Sequence, residues 1–149
     1  MPHSPPQLRT RRTVRAHVVT PKRQLGDFGE RVAAHRLESE GLRVVARNVR
    51  TPSGEVDLVA VDGRDLVFVE VRTRRAIPGV ASESVTPTKL RRMWRCAMEY
   101  CERDGADPET VRLDLVSVDL DASGGVREIE HFRGLEVPDE PGYLPAGGA

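Results

Sequence analysis

One short hairpin constrains the fold more than any other stretch of this sequence. Two runs rich in valine and leucine, residues 55–61 and 66–73, are separated by a four-residue turn with Gly63 at its first central position. Glycine at that position suits a type II′ turn between antiparallel strands. The turn sets the register of the two strands, and in that register Asp57 lies directly opposite Glu70.

The opposed acids Asp57 and Glu70 predict a metal or catalytic site. Their Cβ atoms would lie about 4.5–5.5 Å apart, where like charges destabilise a strand pair. A divalent cation removes that repulsion, and Mg²⁺ binds through one or two carboxylates together with waters and phosphate oxygens. By alternation Glu55 shares the face of Asp57, and Arg72 shares the face of Glu70, where a guanidinium can counter the acids or contact a phosphate.

The alternative interpretation is an exposed hairpin face on which both acids are simply solvated. Against it, residues 66–69 are apolar at every position, which is typical of a central strand covered on both faces. A charged residue such as Glu70 at the end of a central strand favours a functional role.

The remaining elements follow from periodicity and end signals. Apolar residues at helical spacing predict a helix over residues 25–40, with Gly41 just beyond its end. Thr86 and Pro87 are typical of the cap and first residue of a second helix. Runs rich in β-branched residues predict strands over residues 42–50, 55–61, 66–73, 111–120 and 126–132. The order αβββαββ predicts an α/β fold with a central sheet flanked by helices.

Length and composition indicate one domain. A chain of 149 residues is typical of a single core. Residues 1–23 are predicted to be a disordered basic arm, residues 24–137 the folded domain, and residues 138–149 a flexible Pro/Gly-rich tail. Two cysteines in one helical stretch exclude a disulfide scaffold, and no apolar run reaches the roughly 18 residues of a membrane span. We therefore expect a cytoplasmic protein without a membrane partner.

The charge is balanced in total but uneven along the chain. The sequence has 23 basic and 23 acidic residues, yet residues 72–95 contain Glu83 as their single acid among many basic side chains. Such a cluster predicts phosphate binding, and a solvated surface is the alternative. The predicted nucleic-acid-binding side chains are Arg72, Arg74, Arg75, Arg91, Arg92 and Arg95.

Several motifs, in order and spacing, resemble the YraN-like family of bacterial predicted endonucleases. That family is similar to a branch of the PD-(D/E)xK nucleases, close to archaeal Holliday junction resolvases. The resemblance spans about residues 24–134. It is carried by residues 26–30 (GDFGE), 47–50 (RNVR), 54–59 (GEVDLV) and 68–74 (FVEVRTR), together with Lys89 and residues 129–132 (IEHF).

The resemblance implies a restriction-endonuclease-like fold and a nuclease that depends on Mg²⁺ or Mn²⁺. It implies a metal bound by Asp57 and Glu70, and an acid of the first helix, Glu30, that reaches the same site. DNA is the implied partner, with branched DNA as a candidate substrate. A homodimer is expected by analogy with the resolvases.

The sequence departs from the superfamily pattern at Arg72, where the pattern has lysine. Arginine stays charged at any working pH and is a poor general base. Three interpretations remain open: conservative drift in an arginine-rich chain, loss of hydrolysis that leaves a nucleic-acid-binding module, or transfer of the lysine role to Lys89. The candidate catalytic residues are therefore Glu30, Asp57, Glu70, Arg72 and Lys89.

Overall fold

The structure, a computed structural model, describes residues 21–75 and 85–139. Its element order is αβββαββ, with one additional 3₁₀ turn, which confirms the predicted fold class. The elements are α1 (Pro21–Ser39), β1 (Arg43–Thr51), β2 (Gly54–Asp62), β3 (Asp65–Arg75), α2 (Pro87–Asp104), the 3₁₀ turn (Pro108–Thr110), β4 (Val111–Leu120) and β5 (Val126–Phe132).

Helix α1 begins earlier than predicted. Its first residue is Pro21, within the segment 1–23 assigned to the basic arm, because proline is well tolerated in the first turn of a helix. Most of the predicted arm and of the predicted tail lies outside the described residues. No helix in the described ranges is long and apolar enough to cross a membrane.

The five strands form one mixed sheet in the order β1-β2-β3-β4-β5. Neighbouring strands are antiparallel except for β3 and β4, which are parallel and are connected through α2. Strand β3 is therefore central. Its apolar run is covered on both faces, as predicted, and Val67, Phe68 and Val69 are fully buried.

The β2–β3 hairpin has the predicted register. Its ladder runs from the Asp62–Asp65 pair to the Leu58–Val69 pair. Gly63 has φ +59°, and the residue after it has no positive φ, as a type II′ turn requires. The ladder ends one residue before Asp57, and the two strands separate there.

Each face of the sheet is covered by one helix. Leu37 of α1 packs with Val67 and Val69, whereas Met93 of α2 packs with Phe68 on the opposite face. The sheet therefore holds one helix over each face of the opening between β2 and β3.

Both helices end as their sequences predict. Gly41 has φ +94° after α1, and the next N–H, that of Leu42, donates to the carbonyl of Leu37. At the start of α2, the Oγ1 of Thr86 accepts a hydrogen bond from the N–H of Lys89 at 3.2 Å. This cap places Lys89 in the first turn of α2.

A buried charge network closes the hairpin end of the sheet. The imidazole of His131 lies between Glu40, at 2.6 Å, and Asp114, at 2.7 Å. Burial alone would lower the pKa of His131, but its hydrogen bonds to the two carboxylates outweigh burial and raise it. Arg112 extends the network to Asp62 of the hairpin. His131 is therefore structural and lies away from the candidate catalytic residues.

Candidate active site

Asp57 occupies the point where β2 and β3 separate. Its Oδ2 accepts a hydrogen bond from the backbone N–H of Val71 at 2.8 Å. The predicted ladder pair of Asp57 with Glu70 is therefore replaced by a contact one residue further along β3. The carboxylate takes the place of a backbone acceptor, and it remains close enough to Glu70 for strong electrostatic coupling.

The pKa of Asp57 records this crowding. Burial raises the pKa, the charge of Glu70 raises it further, and Glu30 adds a smaller contribution, so that it reaches about 7. The N–H of Val71 and the charge of Lys89 act in the opposite direction. Acids from β2, β3 and α1 therefore share one electrostatic environment.

Lys89 reaches this site from α2. Its Nζ forms an ion pair with Oε1 of Glu70, whose side chain is only 15% exposed. A cation is disfavoured in the first turn of a helix, and the carboxylate of Glu70 offsets that penalty. Of the three interpretations of the missing motif lysine, this contact favours transfer of the lysine role to Lys89.

Arg72 follows Glu70 on the same face of β3. It lies opposite Ser117 in the parallel ladder and is partly exposed. Within the described ranges no ion pair holds its guanidinium. Arg72 is therefore placed to contact a phosphate that approaches Glu70.

Glu30 lies on the other side of the sheet opening, on α1. Burial and the charge of Asp27 raise its pKa, while a hydrogen bond from Asn48 acts against them. The site residue that the sequence did not reveal is Asn48, and its signal was an asparagine inside a strand, where this residue is disfavoured. A polar cleft of about 380 Å³ is lined by Arg23, Gly26, Asp27, Glu30, Asn48, Arg50 and Glu55.

Glu55 does not share the face of Asp57, which corrects the prediction from strict alternation. It lines the cleft beside Glu30 and Asn48, because β2 changes its facing at Asp57. Glu55 therefore belongs to the α1 side of the site.

The predicted nucleic-acid-binding arginines are divided between β3 and α2. Arg74 forms a salt bridge with Asp119 at 3.0 Å, so a protein carboxylate already balances its charge. A second cleft, of about 490 Å³, lies between α2 and the segment after β5. This cleft is lined by Arg91, Trp94, Arg95, Leu135, Val137, Pro138 and Asp139.

The donor set at the opening fits a hard divalent cation. Asp57 and Glu70 supply two carboxylates whose mutual repulsion a cation would relieve. Among the described residues, no group of three or more His, Cys, Asp or Glu side chains could hold a metal ion. Glu30 is therefore a neighbouring charge rather than a third ligand, and a site with two carboxylates and several waters is typical of Mg²⁺.

Comparison with known proteins decides the family. The family described as uncharacterised protein family UPF0102 matches residues 29–118. The chain belongs to the UPF0102 family. This membership confirms the resemblance to the YraN-like group, and the matched residues include Glu30, Asp57, Glu70 and Lys89.

Individual UPF0102 proteins match over most of their length. A UPF0102 protein of Beutenbergia cavernae is 48% identical over 115 residues, which is 76% of this chain and 97% of the relative. A UPF0102 protein of Symbiobacterium thermophilum is 47% identical over 106 residues, covering 70% of this chain and 90% of the relative.

Among solved structures, SfsA of Pyrococcus furiosus in complex with Ca²⁺ is similar at a TM-score of 0.37 and 17% sequence identity. The match covers 75% of this chain and 63% of SfsA. A likeness this distant carries no functional inference for the UPF0102 protein.

Proposed function

We propose that this UPF0102 protein is a metal-dependent endonuclease that hydrolyses phosphodiester bonds in DNA, with branched DNA as a candidate substrate. The observation that carries the proposal is the meeting of Asp57, Glu70 and Lys89 where β2 and β3 separate. Two carboxylates suit a divalent cation, and a lysine beside them suits the orientation of a water or a phosphate.

In this proposal, Asp57 and Glu70 would hold Mg²⁺ or Mn²⁺, which supplies a bound water of lowered pKa and neutralises phosphate charge. Lys89, held by Glu70, presents an ammonium that can donate a hydrogen bond to the attacking water or to a phosphate oxygen. Arg72 supplies a fixed positive charge where negative charge develops on the phosphate. Glu30 adds negative potential from the other side of the opening.

A nucleic-acid-binding module without hydrolysis is the second candidate function. The observation that favours it is Arg72 at the motif lysine position, because a guanidinium binds phosphate but does not accept a proton. The two functions share the same surface, and they differ in whether bound DNA is cut.

The deciding experiment scores binding and cleavage separately on duplex, single-stranded and four-way-junction DNA, with Mg²⁺, Mn²⁺ or a chelator. We expect the wild type to cut only with metal, and Asp57→Ala to abolish both cutting and metal binding measured by calorimetry. Lys89→Ala should slow cutting by about 10²–10⁴-fold, whereas Arg72→Lys should preserve or raise the rate.

Two outcomes would reject the nuclease. Binding without any cutting by the wild type or by Arg72→Lys would support the binding module instead. Equal residual cutting by the wild type and Asp57→Ala would identify a contaminating enzyme. Arg127→Ala, an exposed arginine on β5, serves as the matched control and should leave the rate unchanged.

Assembly and location complete the proposal. By analogy with the resolvases, we propose that the protein acts as a cytoplasmic homodimer. Sedimentation velocity at micromolar concentration should give the mass of a dimer. A monomer with full cleavage activity would remove the dimer from the proposal.

A further inference from the structure

The backbone of β1 changes its facing at Asn48. Asn48 has φ +49° and is, among the described residues, the one non-glycine residue with a positive φ. The β1–β2 ladder pairs Arg47 with Leu58 and Val49 with Val56 on either side of this point, while Asn48 has no partner in the register. A positive φ is uncommon outside glycine, and asparagine tolerates it better than most residues.

The same break changes the facing of β2. Leu58 packs in the α1 layer, whereas Val56, two residues before it, packs in the α2 layer. Residues two apart on a regular strand share one face, so β2 reverses at Asp57. The reversal leaves Asp57 at the boundary between the two faces, where Glu70 and Glu30 both influence it.

The side chain of Asn48 connects the acids of the α1 side. With its amide nitrogen directed towards the carboxylates, Asn48 donates to Glu30 at 3.1 and 3.3 Å and to Glu55 at 3.3 Å. A neutral amide holds two carboxylates without cancelling their negative charge, which a lysine or an arginine would do. Asparagine alone combines two amide donors with tolerance of a positive φ.

We propose that Asn48 is the positioning residue of this site, which turns the β1–β2 ladder at Asp57 and holds the carboxylate of Glu30 towards it. Asn48 acts through Glu30 and does not itself contact substrate. The activity test of this inference rests on the proposed nuclease function. The contact between Asn48 and Glu30 can be tested without any activity.

The activity test is a double-mutant cycle of Asn48→Gly with Glu30→Gln. Glycine keeps the positive φ and removes the amide, so the Tm should stay close to that of the wild type. Each single variant should lower cleavage by about 10–100-fold, the usual effect of losing a group that orients a site residue. The double variant should be no slower than Glu30→Gln alone, because the lost interaction is the same.

The second readout is a ¹³C NMR titration of the Glu30 carboxylate in the metal-free protein. Loss of the amide hydrogen bond in Asn48→Gly should raise the pKa of Glu30 by about 0.5–1 unit above that of the wild type. Asn48→Asp, which keeps the shape but adds a negative charge, should raise the pKa of Glu30 by at least as much.

The outcomes separate this inference from the proposed function. If the wild type cuts DNA but the two substitutions multiply their effects, Asn48 does not act through Glu30 and the inference is wrong. If no protein cuts DNA, the nuclease proposal fails, and the NMR shift alone decides the contact. An unchanged pKa of Glu30 in both Asn48 variants overturns the inference in either case.

Discussion

Asp57 is the residue whose ionisation is most strongly linked to folding. Its pKa is about 7 in the folded protein, against 3.8 for a free aspartate side chain, because of burial and the charge of Glu70. The folded state therefore binds this proton more tightly than the unfolded state. Stability from this group is greatest below pH 4 and is lost as the pH rises through 7.

Asp57→Asn should remove this pH-dependent penalty while keeping an oxygen to accept from the N–H of Val71. We expect the Tm measured by calorimetry to rise by roughly 5 °C at pH 8 and to change little at pH 4. Millimolar Mg²⁺ should stabilise the wild type at pH 8 but not the variant.

Asp119→Asn is the matched control for Asp57→Asn, because Asp119 is paired with Arg74. It should lower the Tm or leave it unchanged. A rise in Tm of Asp57→Asn that is equal at pH 4 and pH 8 would show that the folded protein does not hold Asp57 against its charge.

At the residue scale, the sequence placed Asp57 and Glu70 together through one turn and one register. It did not place Asn48, because tolerance of a positive φ does not predict that a given asparagine adopts one. It left the role of Lys89 open, because the end of β3 and the start of α2 are joined by a loop whose path no local pattern determines. Lys89 was therefore one of three interpretations rather than a derived contact.

At the scale of elements, α1 and β3 approach closely at one glycine. A Cβ on Gly29 would lie 2.8 Å from the Cβ of Thr73, closer than such atoms are normally found. A methyl group on Gly26, one turn earlier on the same helix, would meet no neighbouring element within 4 Å in the part of the chain that the structure describes. Gly29 therefore sets the distance between α1 and the sheet, and it directly precedes Glu30.

Gly29→Ala should lower the Tm by several degrees, because the added methyl group pushes α1 away from Thr73. Gly26→Ala should raise the Tm, because alanine is favoured over glycine in a helix by about 1 kcal/mol. Thermal melts of the two variants and of Gly29→Ala with Thr73→Gly provide the measurement. The close approach would be refuted if both single variants shifted the Tm in the same direction.

The elements themselves were largely predictable. Strands β4 and β5 have the bounds that the sequence indicated, since runs rich in β-branched residues with glycine between them leave few alternatives. The start of α1 was placed about four residues too late. Its first turn carries Pro21 and basic residues without an apolar stripe, so periodicity gave no signal there.

At the scale of the whole molecule, phosphate binding should depend on which arginines are already paired. Arg72 has no ion pair within the described ranges, whereas Arg74 is bound to Asp119. Substitution of Arg72 by Gln should therefore reduce the slope of log K against log salt by about 0.9 for duplex DNA, and substitution of Arg74 should reduce it less.

Fluorescence anisotropy titrations between 50 and 200 mM salt would measure these slopes. Deletion of residues 1–20, which contain Arg9, Arg11, Arg12 and Arg15, should also make the slope shallower. Affinity that does not change with salt, in the wild type or in the variants, would contradict phosphate recognition by this surface.

The parallel pairing of β3 with β4 has a consequence for the synthesis of the protein. Every candidate catalytic residue has been translated by Lys89, yet β3 gains its second neighbour only when β4 follows, and the paired Arg74 and Asp119 are 45 residues apart. Until then β3 is an open edge strand, and such distant pairings form slowly. The growing chain therefore carries all of its site residues before it can hold them in place.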